Sequence, residues 1–152
     1  MPTDEDSIVV EIADDFRQVQ LDRRRLKKMV RTVCQRFGVR QATISIAVLC
    51  DEAIHKINKQ FLNRDSTTDV ISFNLSETGK AKTFEVVVNG RRAEHEAESR
   101  GHNAESELAL YVLHGLLHNL GFDDASRQEA QRMHKTEDEI LQQFGYGTVF
   151  GS

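Results

Sequence analysis

The sequence predicts an α+β fold with about four strands and four or five helices, in a single domain over residues 1–152. Three observations predict it. Four stretches are rich in β-branched residues, the runs between and after them carry apolar residues at helical spacing, and capping residues stand where those runs begin.

Along the chain, "SIVVEIAD" reads as a first short strand. Asp22 can then cap a helix whose Leu26, Met29, Val30, Val33 and Phe37 share one face until Gly38, leaving its arginines and lysines outside. In "ATISIAVLC", Ile44, Ile46 and Val48 alternate as a half-buried strand requires, and Asp51 can cap a following helix that carries Ile54, Ile57 and Phe61. "TTDVISFN" and "TFEVVVNG", separated by the polar turn "LSETGKAK", form a plausible hairpin. The charged "RRAEHEAESRGH" suits a short surface helix. Asn103 can cap "AESELALYVLHGLLHNL", with Glu105 and Glu107 near its positive end and Gly121 ending it. That run is apolar nearly all round, which predicts a central helix buried against the sheet. Ser126 and Glu129 have capping-box spacing for a last helix, whose Ala130, Met133, Ile140, Leu141 and Phe144 turn inward before Gly145.

Composition narrows the class. The 39% hydrophobic and 29% charged residues are those of a globular protein, and no apolar run approaches the roughly 18 residues that a membrane span needs. The start "MPTDEDSIVV" is acidic and lacks the basic-then-apolar order of a secretion signal, so a cytoplasmic location is expected. Cys34 and Cys50 are too few for a disulfide framework and are expected to be buried and reduced. The net charge of -4 argues mildly against a nucleic-acid partner, but its distribution argues the other way. Residues 16–64 hold 12 Lys/Arg against 3 Asp/Glu, and eight of these cations lie between Arg23 and Arg40. A positive surface of that kind attracts phosphates, although a charge run alone is more often a solvated helix face.

The chemistry concentrates in "LHGLLHNLGFDD". His114 and His118 are one turn apart on one side of a helix, so both imidazoles can reach one ion. A catalytic zinc takes about three protein ligands, and the turn allowed by Gly121 would swing Asp124 back as the third. Asp123 could replace it, or orient a histidine from behind. The spacing is zincin-like, but the position after the first histidine, where those peptidases place a glutamate base, is Gly115. His55, His95, His102 and His134 stand in polar contexts and are expected at the surface.

With these residues in view the chain resembles the YbeY family of bacterial endoribonucleases and rRNA maturation factors, from about Ile44 to Leu141. "HGLLHNLGFDD" is similar to the family's H-G-x-L-H-L-x-G-y-D-H signature and "TTDVISF" to its T-D-V-L-S-F block, with Asn58 upstream and Met133 and Glu137 downstream. The resemblance implies a mixed four-stranded sheet packed with about five helices and a zincin-like metal helix. It also implies one zinc ion on His114 and His118, and cleavage of single-stranded RNA in small-subunit rRNA maturation and ribosome quality control. Four positions depart from the pattern. Asp124 replaces the third histidine, and Leu62 replaces an arginine that Arg64 stands two residues beyond. Phe84 and Glu85 replace a glycine and an aspartate, and Asn119 replaces a leucine.

The resulting expectation is a zinc-dependent endoribonuclease. His114, His118 and Asp124 hold the metal, Arg64 and Asp123 act at the reacting phosphate, and Arg24, Lys28 and Arg31 hold the RNA backbone. Asp123, Glu85 and hydroxide are alternative bases. The chain has no tryptophan and two tyrosines, so strong base readout is not expected, and specificity falls to a partner such as the small ribosomal subunit. Two rivals are a metallopeptidase-like hydrolase, which Gly115 opposes, and a non-catalytic zinc-stabilised ribosome-binding factor, which Asp124 and Leu62 favour.

Overall fold

The computed structural model describes residues 7–64 and 66–147. The acidic start, residues 1–6, read above for a secretion signal, lies outside them. The elements run β1 (Ser7–Asp14), α1 (Arg23–Arg36), β2 (Gln41–Leu49), α2 (Asp51–Phe61), β3 (Val70–Asn74), β4 (Lys82–Asn89), α3 (Gly90–Arg100), α4 (Ala104–Asn119) and α5 (Arg127–Gln143). The strands form one mixed sheet in the order β1-β2-β4-β3. β1, β2 and β4 are parallel, and β3 closes the far edge antiparallel to β4. The expected α+β class, four strands and five helices are all present.

Alternation divides the sheet into two faces. Ile44, Ile46 and Val48 of β2 and Phe84, Val86 and Val88 of β4 enter the main core with α1, α4 and α5. The opposite face is thinner, with Ile54 of α2 packed on Ile71 and Val87. α4 is buried from Ser106 to Leu113 and again from Gly115 to Leu117, the central helix that its apolar sequence requires. It lies very close to the sheet at Gly115, where a Cβ would stand 2.9 Å from Val86 Cγ1 and 3.0 Å from Val70 Cγ2. A side chain there would have to displace the Val86 and Val70 side chains.

Three caps are where the sequence places them. Asp22 accepts from the Arg25 amide, Asn103 from the Ser106 amide and Ser126 from the Glu129 amide. Asp51 does not cap α2. Cys50 is the cap residue and provides no side-chain bond, while Asp51, the first helical residue, turns its carboxylate to Asn89 Nδ2 at 2.7 Å and Thr67 Oγ1 at 2.9 Å. These bonds hold its carboxyl below the usual carboxylate range, with Asn89 as the main cause. The strand in "TTDVISFN" starts only at Val70, because Thr67 and Asp69 are engaged in side-chain bonds. Cys34 is buried, which pushes its thiol up to about 11, but Cys50 is exposed, against expectation, because it leads off α2 at the surface. Among the described residues no helix is long and apolar enough to cross a membrane.

Candidate metal centre

The site is built at the C-terminal end of α4. His114 and His118 stack one turn apart, with Nε2 atoms 3.1 Å from each other. Leu120 caps the helix, Gly121 takes φ +101°, and the reversed chain brings Asp124 Oδ2 to 3.8 Å from His118 Nε2 and 4.0 Å from His114 Nε2. All three donor atoms lie within 4.8 Å of one another and could hold one metal ion. Two imidazole nitrogens and a carboxylate oxygen are a donor set that suits zinc.

The support for His114 comes from α5. Glu137 Oε2 lies 2.9 Å from His114 Nδ1, and Glu137 is fully buried. A carboxylate in that position accepts a hydrogen bond from Nδ1–H and leaves Nε2 turned toward Asp124 and His118. Burial alone pulls the His114 pKa down, but the bond to Glu137 and the charges of Glu137, Asp69 and Asp124 together outweigh it, so the net shift is upward. The second Glu137 oxygen is buried without a hydrogen-bond partner. A negative charge so placed behind a histidine favours a cation in front of it.

One cleft adjoins this centre, and another lies along β3, whose Val70 and Ser72 face α4 at Gly115. Beside His114, a cavity of about 210 Å³ is lined by Arg92, Arg100, Tyr111, His134 and Asp69 among others. Along the outer edge of β3, a second cleft runs past Asn58, Leu62, Arg64, Thr68, Val70 and Ser72. Asn58 shapes it: its buried side chain donates to the Ser66 carbonyl at 2.9 Å, and its own carbonyl accepts from the Leu62 and Arg64 amides. Arg64 is therefore held at the cleft although it is exposed.

Other expected site residues are placed elsewhere. Asp123 is outside the donor cluster: its Oδ1 accepts from the Asp124 amide at 2.7 Å and the Ala125 amide at 3.1 Å, which stiffens the turn that delivers Asp124. Glu85 pairs with Phe73 and lies on the α2 face of the sheet, opposite α4, so it is no base for this site. Arg24, Lys28 and Arg31 are exposed on α1, which packs on β1 at the sheet edge opposite β3, and Arg31 Nε donates to the Ile8 carbonyl. The fold does not bring these three to the clefts. His102 is not a surface residue: it is half-buried against the fully buried Glu107. The tight fit of Gly115 removes the peptidase-like glutamate for a steric reason as well as a chemical one.

Sequence reasoning assigned no role to Glu137, Asp69, Arg92 or His134. Glu137 had a signal, since it falls four residues after Met133 and three before Ile140 on the apolar face of its helix. A glutamate on such a face needs a partner.

With this geometry established, comparison with known proteins places the chain. The sequence profile described as Endoribonuclease YbeY matches residues 11–145. The chain belongs to the Endoribonuclease YbeY family. Among the relatives that carry this name, the Bacillus licheniformis protein is 31% identical, over 91% of this chain and 96% of that protein. The Lysinibacillus sphaericus protein is 36% identical over 70% and 75%, and the Bacillus velezensis protein 28% over 91% and 97%. The solution structure of TM1509 from Thermotoga maritima shares the fold, with a TM-score of 0.62 at 22% identity over 90% of this chain and 91% of that one. The enzyme class expected from the sequence, an endoribonuclease, is the one the YbeY family's name states.

Proposed function

We propose that this chain is a zinc-dependent endoribonuclease of one hydrolase domain. It acts in the cytoplasm on single-stranded RNA during small-subunit rRNA maturation and ribosome quality control. The observation that carries the reading is the convergence of His114, His118 and Asp124, with His114 lining a cavity, in a member of the YbeY family. These three residues are the proposed ligands. A zinc ion held there would supply Lewis-acid polarisation of a phosphoryl oxygen and would lower the pKa of water.

The protein's own groups supply orientation and charge. Glu137 fixes the His114 ring and keeps Nε2 turned outward. Asp123 is a positioning residue, because its two backbone bonds set the turn on which Asp124 rides. Arg64, which lines the cleft along β3, would neutralise an RNA phosphate, the part a guanidinium plays through paired N–H donors. Arg24, Lys28 and Arg31 face away from the clefts and would engage flanking RNA or the ribosome, contacts that position a strand without reading it.

The deciding experiment pairs elemental analysis with cleavage of single-stranded and duplex RNA, for the parent and Asp124→Ala. The expected result is about one zinc per chain in the parent, lost or much reduced in the variant, and chelator-sensitive cleavage of the single strand. Absence of metal from both proteins would overturn the reading. A second reading, a zinc-stabilised ribosome-binding factor without catalysis, is favoured by Leu62, exposed where the family pattern has an arginine. It predicts bound zinc and ribosome binding with no cleavage.

A further inference from the structure

Composition argues against base contacts, yet the fold leaves a large aromatic ring in solvent beside a cleft. Phe61, which helical spacing places inward with Ile54 and Ile57, is instead 64% exposed at the C-terminal end of α2, next to Leu62. Its ring meets Phe73 of β3 edge to face, with centroids 6.5 Å apart. Burial of apolar surface is what normally places phenylalanine, and here most of that gain is forgone.

The surroundings carry more cations than anions, with Glu85 opposite Phe73 as the nearest strand carboxylate, and adjoin the edge cleft through Leu62. α2 begins with Asp51 and Glu52, and Lys56, Lys59 and Arg64 follow toward and beyond its end. β3 is an edge strand, and the cleft is lined from both its faces, by Val70 and Ser72 on the α4 side and by Ile71 on the α2 side, where Phe73 follows two residues on. The bonds from the Leu75 amide to the Thr83 carbonyl and from the Asn89 amide to the Asp69 carbonyl set the phase of the β3–β4 ladder. In that phase the Ser72 N–H and C=O point outward from the edge, into the cleft.

We propose that Phe61, braced by Phe73, is a stacking platform for an unpaired base of the RNA strand, with Lys59 and Arg64 on the adjoining phosphates. The proposal rests on the endoribonuclease reading and adds a base-binding position to it. Each nucleobase has a flat face that stacks on an aromatic ring, and only an unpaired base can turn out to reach one. This gives the preference for single strands a physical source. A protein partner is the weaker fit, since Phe61 and Leu62 alone are far smaller than the roughly 800 Å² per side of a stable protein interface.

The test is a fluorescence titration on a time scale short against cleavage, with single-stranded oligoadenylate containing 2-aminopurine and with an oligomer of abasic riboses of equal length. The proteins are the parent, Phe61→Ala, Phe61→Leu, Phe61→Trp and, as a control at the opposite sheet edge, Val9→Ala. Phe61→Ala and Phe61→Leu are expected to lose about tenfold in affinity for the base-bearing strand and most of the 2-aminopurine quenching, with abasic binding unchanged. Leucine keeps an apolar contact with Phe73, so its failure to rescue separates stacking from packing, and tryptophan should restore binding. Equal affinity of parent and Phe61→Ala for the base-bearing strand would overturn the platform while leaving the endoribonuclease reading intact. A parent that cleaves RNA but shows no quenching would do the same. Absence of RNA binding and cleavage in the parent would overturn both.

Discussion

At each end of α4 a histidine faces a fully buried glutamate, Glu107 of α4 itself at one end and Glu137 of α5 at the other, and only one of these pairs makes a site. At the N-terminal end, Glu107 Oε1 meets His102 Nε2 and is also approached by Arg100 Nη1 at 3.3 Å. Arg25 and the Asp22 amide close the neighbouring Glu105 in the same way. The negative charge there is balanced by cations from the protein itself. At the C-terminal end, Glu137 approaches the other ring nitrogen, Nδ1 of His114, so Nε2 is directed outward to His118 and Asp124. Among the described residues no arginine or lysine forms an ion pair with Glu137. A buried carboxylate beside a histidine is thus no functional signature by itself. What the histidine's far nitrogen meets, and whether a protein cation already balances the charge, separates a structural pair from a candidate metal centre.

The largest effect that can break this contrast is His118→Ala. It should reduce metal content and RNA cleavage by more than about a hundredfold, above the range of indirect support residues, with the circular dichroism of the parent retained. Full metal occupancy in that variant would move the centre elsewhere. Next come the two glutamates treated alike. Glu107→Ala leaves His102 and Arg100 without their buried partner and should cost at most about 3 kcal/mol, because Arg100 is partly exposed and also pairs with Glu96. It should leave zinc content unchanged. Glu137→Gln should show the reverse, a fall of about 10–100-fold in metal affinity with the fold retained. Equal loss of metal in both variants, measured by competition with a chromogenic chelator, would mean that the two ends are equivalent.

The smallest effect concerns Asp51, a carboxylate that ties α2 to the segment before β3 without being buried. Its pKa is lowered in the folded state, so its contribution to stability is present above the unfolded value, about pH 4, and is lost as pH falls through the lowered folded value. Asp51→Ala should therefore lower Tm slightly at neutral pH, and the gap to the parent should close in strong acid. A gap that stays constant through the acid range would show that the Asn89 and Thr67 bonds are not what holds this carboxyl.

Much of this was legible in the chain, and what was legible was local. Alternation placed Ile44, Ile46 and Val48 on one face, and the caps at Asp22, Asn103 and Ser126 marked three helix starts. The four-residue spacing of His114 and His118, followed by Gly121, put two imidazoles and a reversed turn together because helix pitch and glycine backbone freedom are properties of short segments. The misreadings share one cause, a judgement that needed a distant neighbour. The sequence predicts a buried Cys50 and spaces Phe61 with Ile54 and Ile57, yet both lie at the exposed ends of a short helix on the thinner side of the sheet.

The sequence by itself therefore determined the elements, three of their caps, the closeness of His114, His118 and Asp124 at one helix end and the uneven charge. Only the tertiary structure decided that Glu137 stands behind His114, that Gly115 is where α4 meets Val70 and Val86, and that Glu85 lies on the wrong face for the site. The strand order β1-β2-β4-β3 also sets Arg24, Lys28 and Arg31 at one edge and Arg64 at the other. Periodicity and capping are written in neighbouring residues, whereas strand order and helix placement follow from how all the apolar faces are buried together.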